Sequence, residues 1–500
     1  MFIGVDVGTS ETKAVLVDRG GRMLAGASAS NRLQVPQPGW AEHDADTDWW
    51  GNFCTVVKEV FARSDVAPAD VEAIGCSGIG PCVLPVDQGV RPLGPAILYG
   101  IDTRASAQIA RLDDELGAAA ILERTGNALT SQSAGPKVAW LRDERPEVFT
   151  AAAKFHTCQS FLVAKLTGEH VMDRTTAAYW GPFYDLRENA WIDDWVSGTV
   201  EPERLPRLVW PTEVVGRVGS DAARACGLAV GTPVIAGAPD APAEAVSAGV
   251  LGPGDLMVMY GSSIFMIAVV GESIVDPRMW AAPFVFEGTS IVAGGTSTAG
   301  TLTRWLIELL SGDPGNTAVS DRYGEFAAWA AASPPGANGL DLLPYLSGER
   351  TPIHDPDARG VIFGLSLRHT RADVARAALE GIAQGIRLNV EVMLEMGVPI
   401  QRIRAVGGGV RNDAWLQAVS DCLGRRQEVV SQRGAAYGDA ILAAIGVGAL
   451  RREDVPSWID VDRVVEPDAE LAGLYDRQAS RQRQLYESTR TLMHEVARDA

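Results

Sequence analysis

The sequence predicts an α/β fold built as two related halves, and three observations lead there. Stretches with strand character alternate with helical ones, which marks a helix-covered sheet rather than a bundle. A strand, a small polar turn and a second strand open the chain in FIGVDVGTSETKAVLVD and recur in LMVMYGSSIFMIAVV, near residue 256. Glycine is abundant, 53 of 500 residues, as suits a chain with many tight turns around ligands.

Taken in order, the first thirty residues read as a meander. FIGVDV and TKAVLVD flank Gly8-Thr9-Ser10, DRGGR makes a second turn, and MLAGASA returns. A loop rich in Pro and Gly, VPQPGWAEHDADTDWW, leads to an amphipathic helix ending near Arg63. VEAIGCSG and CVLPVD read as strands. RASAQIARLDDELG and GPKVAWLRDERPEVF read as helices joined by the polar loop RTGNALTSQSA. In the second half SIVAGG is a strand ending on glycine. The helix RADVARAALEGIAQGIRLNVEVMLEMG sets Val374, Ala378, Ile382, Ile386 and Val390 on one stripe, with Thr370 and Asp373 in capping-box spacing. IRAVGGG reads as a strand, DAWLQAVSDCLG as a helix and the last thirty residues as one polar surface helix. The boundary between halves falls near Gly249, giving residues 1–248, 249–450 and a C-terminal helical extension, 451–500.

Bulk properties narrow the function classes. A length of 500 suggests two to four domains, and 46% hydrophobic with 21% charged residues is ordinary globular composition. A net charge of −19 argues against nucleic acid and against an anionic membrane surface as partners. The six cysteines, at 54, 76, 82, 158, 226 and 422, contain no Cys-x-x-Cys pair, so neither a zinc site nor a disulfide framework is expected. The longest apolar region is broken at Gly261-Ser262-Ser263 and is too short to span a bilayer. The chain enters a strand without a basic or apolar leader and reads as cytoplasmic. The six histidines show no metal-ligand spacing, and no G-x-S-x-G elbow is present.

Chemistry concentrates in three turns, Gly8-Thr9-Ser10, Gly261-Ser262-Ser263 and Gly407-Gly408-Gly409, each after a strand. Glycine lets backbone N–H groups approach an anion, hydroxyls add donors, and a helix N-terminus adds positive potential. Any one of them is also an ordinary hairpin turn. Three in one chain, two at matched positions of a duplication, favour a polyphosphate clamped between two domains. No G-x-x-x-x-G-K-[ST] or G-x-G-x-x-G pattern offers another source. Asp6 ends the first strand, either as a turn-former or as a hard oxygen ligand for Mg²⁺ beside phosphates. Asp240, in VIAGAPDAPAEAVSAG, follows a buried-looking strand and precedes a helix. It reads as a helix N-cap or as a general base toward a hydroxyl that attacks a γ-phosphate.

These stretches resemble the FGGY carbohydrate kinases of the actin-like ATPase superfamily, through most of the chain. GVDVGTSETK resembles the family's first phosphate segment and PGWAEHDADTDWW its early loop. The most specific stretch is GERTPIHDPDARGVIFGLSLRHTRADVARAALEGIA, where Gly360, Ile362, Gly364, Leu365, Asp373, Val374 and Ala377 to Glu380 fit the C-terminal signature. VGGGVRNDAWLQAVSDCLG resembles the adenosine-binding segment. The resemblance implies two ribonuclease-H-like domains with a cleft between them, and ATP- and Mg²⁺-dependent phosphorylation of a sugar or polyol. It implies Asp240 as catalytic base, Asp6 for Mg²⁺, and Gly8, Thr9 and Ser10 around the phosphates with Lys13 nearby. Gly261, Ser262, Gly300, Gly408, Gly409 and Asp413 become nucleotide contacts.

The substrate loops depart from the pattern. Where xylulokinases carry Gln-Met-His, this chain has Ile79-Gly80-Pro81. The Arg-Glu pair of glycerol kinases is missing, and Ala241 follows Asp240 where Asn or Gln is common. The polar candidates for substrate that remain are Asp102, Arg104, Gln132 and Asp240 itself. The tenor is xylulokinase-like, so the expected activity is phosphorylation of a ketopentose. Another polyol, ketose or sugar acid is the alternative, and an actin-like ATPase or a sugar sensor without transfer is the alternative from another class. The oligomeric state stays open, a homodimer among the options.

Overall fold

The computed structural model describes residues 1–311, 322–431 and 433–499. Two seven-stranded sheets carry the chain. Contacts divide it into one unit of Met1–Gly252, Val269–Ile291 and Arg433–Ile459, and another of Pro253–Ala268, Val292–Gln432 and Asp460–Ala500.

In the first unit the predicted meander is present as Phe2–Val7, Glu11–Val17 and Met23–Ser30, paired antiparallel. Phe2–Val7 also pairs in parallel with Ala73–Gly78, and the sheet continues through Pro233–Ile235 to Val214–Arg217. Phe2–Val7 is buried throughout except at the half-buried Asp6, as suits a strand covered on both sides. One face packs with the helix Asn52–Ala62, whose Phe53, Val56, Val57 and Val60 join Val5, Val7 and Leu16 in one core. The other takes the helix Ala435–Gly446, which the chain supplies only after completing most of the second unit.

That helix seats at backbone contact distance. A Cβ on Gly4 would lie 1.8 Å from the Ala436 carbonyl oxygen, and one on Gly75 would lie 2.5 Å from that of Asp439. Gly438 serves the same purpose toward the helix Asp240–Ser247, since its Cβ would lie 1.9 Å from the Ala243 carbonyl oxygen.

The second unit repeats the pattern. Gly254–Tyr260 pairs antiparallel with Ile264–Val270 and in parallel with Ile400–Val406, which adjoins Gln427–Val430 and then Val461–Val465. The helix Arg371–Glu395 begins at Thr370 with the expected capping box and buries Ala378, Ile382, Ile386 and Val390. The C-terminal helix, Ala472–Asp499, is more than a surface element. It buries Tyr475, Gln478, Gln482, Tyr486 and Met493, and Gln478 donates to the buried Glu380 at 3.0 Å. No helix among the described residues is long and apolar enough to cross a membrane.

The glycine seats generate a prediction. Gly438→Ala forces a methyl group onto a carbonyl oxygen and should cost about 1–3 kcal/mol, read as a lower urea midpoint. Gly408→Ala, with nothing within 4 Å of the added carbon, should stay within about 0.5 kcal/mol of the parent.

Candidate active site

Strand register gathers acids at one edge of the first sheet. Asp6 lies opposite Ser77, and Ser77 lies opposite Ala238 in a third parallel strand, Ala238–Pro239. The carboxyl ends of adjacent parallel strands are where α/β sheets commonly present functional groups. Asp240 follows as the first residue of its helix, with Pro239 in extended backbone as the cap residue. Asp240 therefore does not act as the N-cap, although its Oδ1 accepts the Ala241 N–H at 2.8 Å.

These carboxyls perturb one another. Burial raises Asp240 to about 7, with the charge of Asp6 and then of Glu244 adding to the rise. Burial likewise raises Asp6 to about 6, held back by a hydrogen bond from Ser77 and by Lys13. Glu244, one helical turn beyond Asp240, is raised to about 7 by burial and by Asp6. Asp439, fully buried in the helix Ala435–Gly446, has its Oδ2 2.6 Å from the Ser77 hydroxyl, and burial holds it well above the carboxylate range.

The first turn is braced by its neighbours. Gly8 N–H donates to the Glu11 carbonyl at 2.9 Å, Asn31 Nδ2 donates to the Gly8 carbonyl at 2.6 Å, and Thr9 Oγ1 lies 3.1 Å from the Tyr99 hydroxyl. Ser10 is exposed, and Lys13 pairs with Glu11 at 3.0 Å.

The substrate candidates are placed differently from one another. Arg104 is no surface residue: its side chain is 2% exposed, pairs with Asp102 at 2.7 Å and Glu42 at 2.8 Å, and lies 3.8 Å from the centre of the Trp40 ring. Asp102 also accepts the Ala41 N–H at 2.7 Å, so this charge cluster ties two loops together. Gln132 is half-buried, and its Oε1 accepts the Gly100 N–H at 3.3 Å. Its loop is held by the buried Lys137, whose Nζ donates to the Ser131 carbonyl at 2.6 Å and which burial lowers to about 8.

In the second unit Gly261, Ser262, Gly300, Gly408 and Gly409 all line one cavity of about 670 Å³, with Tyr260, Arg304, Phe326, Asn412 and Trp415 among the other walls. The Gly261-Ser262 turn sits on the start of the helix Gly300–Ser311. Gly300 N–H donates to the Gly261 carbonyl at 3.0 Å, and Ala299 and Thr301 N–H donate to that of Ser262. A Cβ on Gly300 would lie 2.6 Å from that Gly261 oxygen, and one on Gly409 would lie 2.6 Å from the Trp415 ring. Asp413 is not part of this wall. Its exposed carboxylate pairs with Arg463 at 2.7 Å, while Asn412 lines the cavity and caps the helix Asp413–Leu423.

Sequence reasoning missed Ser77, Glu244, Asp439 and Lys137. The available signals were an acid inside the apolar run AYGDAILAA and a second acid four residues after Asp240, on the same helix face.

The sequence model of the FGGY family of carbohydrate kinases, N-terminal domain, matches residues 1–247, and that of the C-terminal domain matches residues 256–447. A xylulose kinase of Staphylococcus epidermidis is 30% identical, over 98% of this chain and 97% of that protein. A gluconokinase of Bacillus licheniformis is 27% identical, over 91% and 89%. The crystal structure of a xylulose kinase from Rhodospirillum rubrum superposes with a TM-score of 0.92 at 33% identity, over 98% and 99% of the two chains. The chain belongs to the FGGY family of carbohydrate kinases and is an ATP-dependent sugar kinase.

Proposed function

We propose that this sugar kinase phosphorylates a ketopentose, xylulose being the first candidate, with Asp240 as the base. One observation carries the chemistry: a half-buried carboxyl at the end of a parallel strand, raised to about 7 beside Asp6. A general base works best with its pKa near the working pH, and this crowding supplies that value. The relatives named xylulose kinase support the substrate.

In the proposed step a sugar hydroxyl gives its proton to Asp240 as its oxygen bonds the γ-phosphorus. The bond from that phosphorus to the β-phosphate oxygen breaks, and ADP leaves. The second-unit cavity holds the nucleotide, with Gly261 and Ser262 at its phosphates and Gly300, Gly408 and Gly409 allowing close approach. Asn412 replaces Asp413 as the polar residue on that wall. Gly8, Thr9 and Ser10 supply the first-unit phosphate turn.

Mg²⁺ fits the donors present. Among the described residues no three His, Cys, Asp or Glu side chains are placed to hold a metal. Mg²⁺ ordinarily takes one or two carboxylates, waters and substrate phosphates, and Asp6 offers such a hard oxygen donor. When bound with ATP, the ion supplies neutralisation of phosphate charge. Gln132 is the loop residue assigned to the sugar. Asp102 and Arg104 are assigned to holding the loops that surround it.

Three outcomes check the proposal. ADP release measured across xylulose, ribulose, glycerol, xylitol and gluconate should give xylulose the highest kcat/KM, by about tenfold or more. A preference for gluconate or glycerol would reassign the substrate. Asp240→Asn should lower kcat by roughly 10²- to 10⁴-fold while leaving the Kd for ATP near that of the parent, and turnover like the parent's would remove Asp240 from its role. Because the base must be ionised, kcat/KM for the sugar should fall as pH drops through about 7. Glu244→Gln takes away a like charge and should move that acid limb to lower pH, whereas a shift upward would contradict the electrostatic account.

A further inference from the structure

We propose that Asp439 is a positioning residue that works as an un-ionised acid, holding Asp6 in place through the hydroxyl of Ser77. Ser77 Oγ lies 2.6 Å from Asp439 Oδ2 and 3.0 Å from Asp6 Oδ1. A hydroxyl has one proton and cannot donate to both. One of the two contacts must be filled by a proton on a carboxyl group.

The surroundings decide which carboxyl carries it. Asp439 is 0% exposed, and its Oδ1 makes no hydrogen bond among the described residues. The helix around it is buried from Ala435 to Ala444. The charged groups that act on it are Asp6 and Asp240, both acidic. With Ser77 as its donor, an ionised carboxylate there would still have an unsatisfied oxygen and, among the described residues, no cation to balance it, a costly state for a buried group. Asp6 is half-buried and has Lys13 among its neighbours. The proton therefore sits on Asp439, which donates to Ser77, and Ser77 donates to Asp6. Burial, which raises the Asp439 carboxyl well above its usual range, acts in the same direction.

This chain of two bonds has a mechanical consequence. A serine hydroxyl facing an ionised acid on each side could turn to either. With Asp439 donating, Ser77 has one orientation and Asp6 Oδ1 a permanent donor. That consequence rests on the proposed role of Asp6 toward Mg²⁺, and the protonation itself does not.

Two measurements test the proposal. Infrared spectra of the unliganded enzyme with isotope-labelled aspartate, parent minus Asp439→Asn, should show the carbonyl band of an un-ionised carboxylic acid. Absence of that band overturns the protonation and the proposal with it. Kinetically, Asp439→Asn keeps a neutral donor toward Ser77 and should hold kcat and the KM for Mg²⁺ within about threefold of the parent. Asp439→Leu and Ser77→Ala should raise the KM for Mg²⁺ or lower kcat by roughly 10- to 100-fold. An Asn variant as impaired as the Leu variant, or a Leu variant like the parent, overturns the positioning role. If Asp6→Asn leaves the Mg²⁺ dependence unchanged while the band is present, the assignment of Asp6 fails and the protonated Asp439 stands.

Discussion

The first unit depends on one close contact, the helix Ala435–Gly446 resting on two glycines of adjacent parallel strands. With Gly4 and Gly75 beneath it, the helix backbone reaches the sheet where any side chain would collide with Ala436 or Asp439. This proximity lets Asp439, a short side chain, span from a helix to a strand hydroxyl. Gly438 applies the same constraint to the neighbouring helix, which begins at Asp240. Three absent methyl groups thus set the distances among a helix, a sheet edge and a second helix. The acids inherit their geometry from backbone packing.

That packing concentrates like charge. Asp6, Asp240, Glu244 and Asp439 all have raised carboxyls, with burial the largest cause in each. In linkage terms the folded state binds these protons more tightly than the unfolded chain does. Their contribution to stability is fully present below the unfolded value of about 4 and is lost as pH rises through about 6 and 7. The cluster is therefore a liability at neutral pH, offset by the apolar core on the sheet's other face. A fold that keeps such a group of acids has a use for it that stability does not explain.

Much of the fold was legible because its signals are local. The meander, its echo near residue 256 and the capping box at Thr370 and Asp373 follow from alternation, glycine turns and short spacings, and each is present as read. The setting of Asp240 between a strand and a helix was legible for the same reason. What escaped the sequence is long-range. Ser77 and Asp439 meet across 362 positions, and no periodicity records that the chain returns to its first unit at residue 433. The polar C-terminal segment was read as surface because its buried members include Gln482 and Gln478, whose amide donates to Glu380 inside the protein rather than to water. The choice of Asn412 over Asp413 at the cavity turns on a single residue of helix phase, below what spacing resolves.

The buried cluster of Glu42, Asp102 and Arg104 bears on how a sugar would be recognised in the proposed reaction. The guanidinium already meets both carboxylates and stacks on Trp40. Turning it toward a ligand would strand two buried anions, and removing one partner of a buried ion pair typically costs about 3–5 kcal/mol. A sugar hydroxyl returns about 1.5–3 kcal/mol for a bond to a charged group, so the exchange is unfavourable. The cluster is better suited to fixing the loops at 39–43 and 99–104 than to touching substrate. In the proposed reaction selectivity would then fall to neutral groups with hydrogen-bonding capacity left. Gln132 is one, because its carbonyl oxygen is engaged by Gly100 while its amide nitrogen has no hydrogen-bond partner among the described residues. With Ala241 contributing no polar side-chain atom beside Asp240, the proposed reaction would rely on a loop amide of this kind to distinguish one hydroxyl pattern from another.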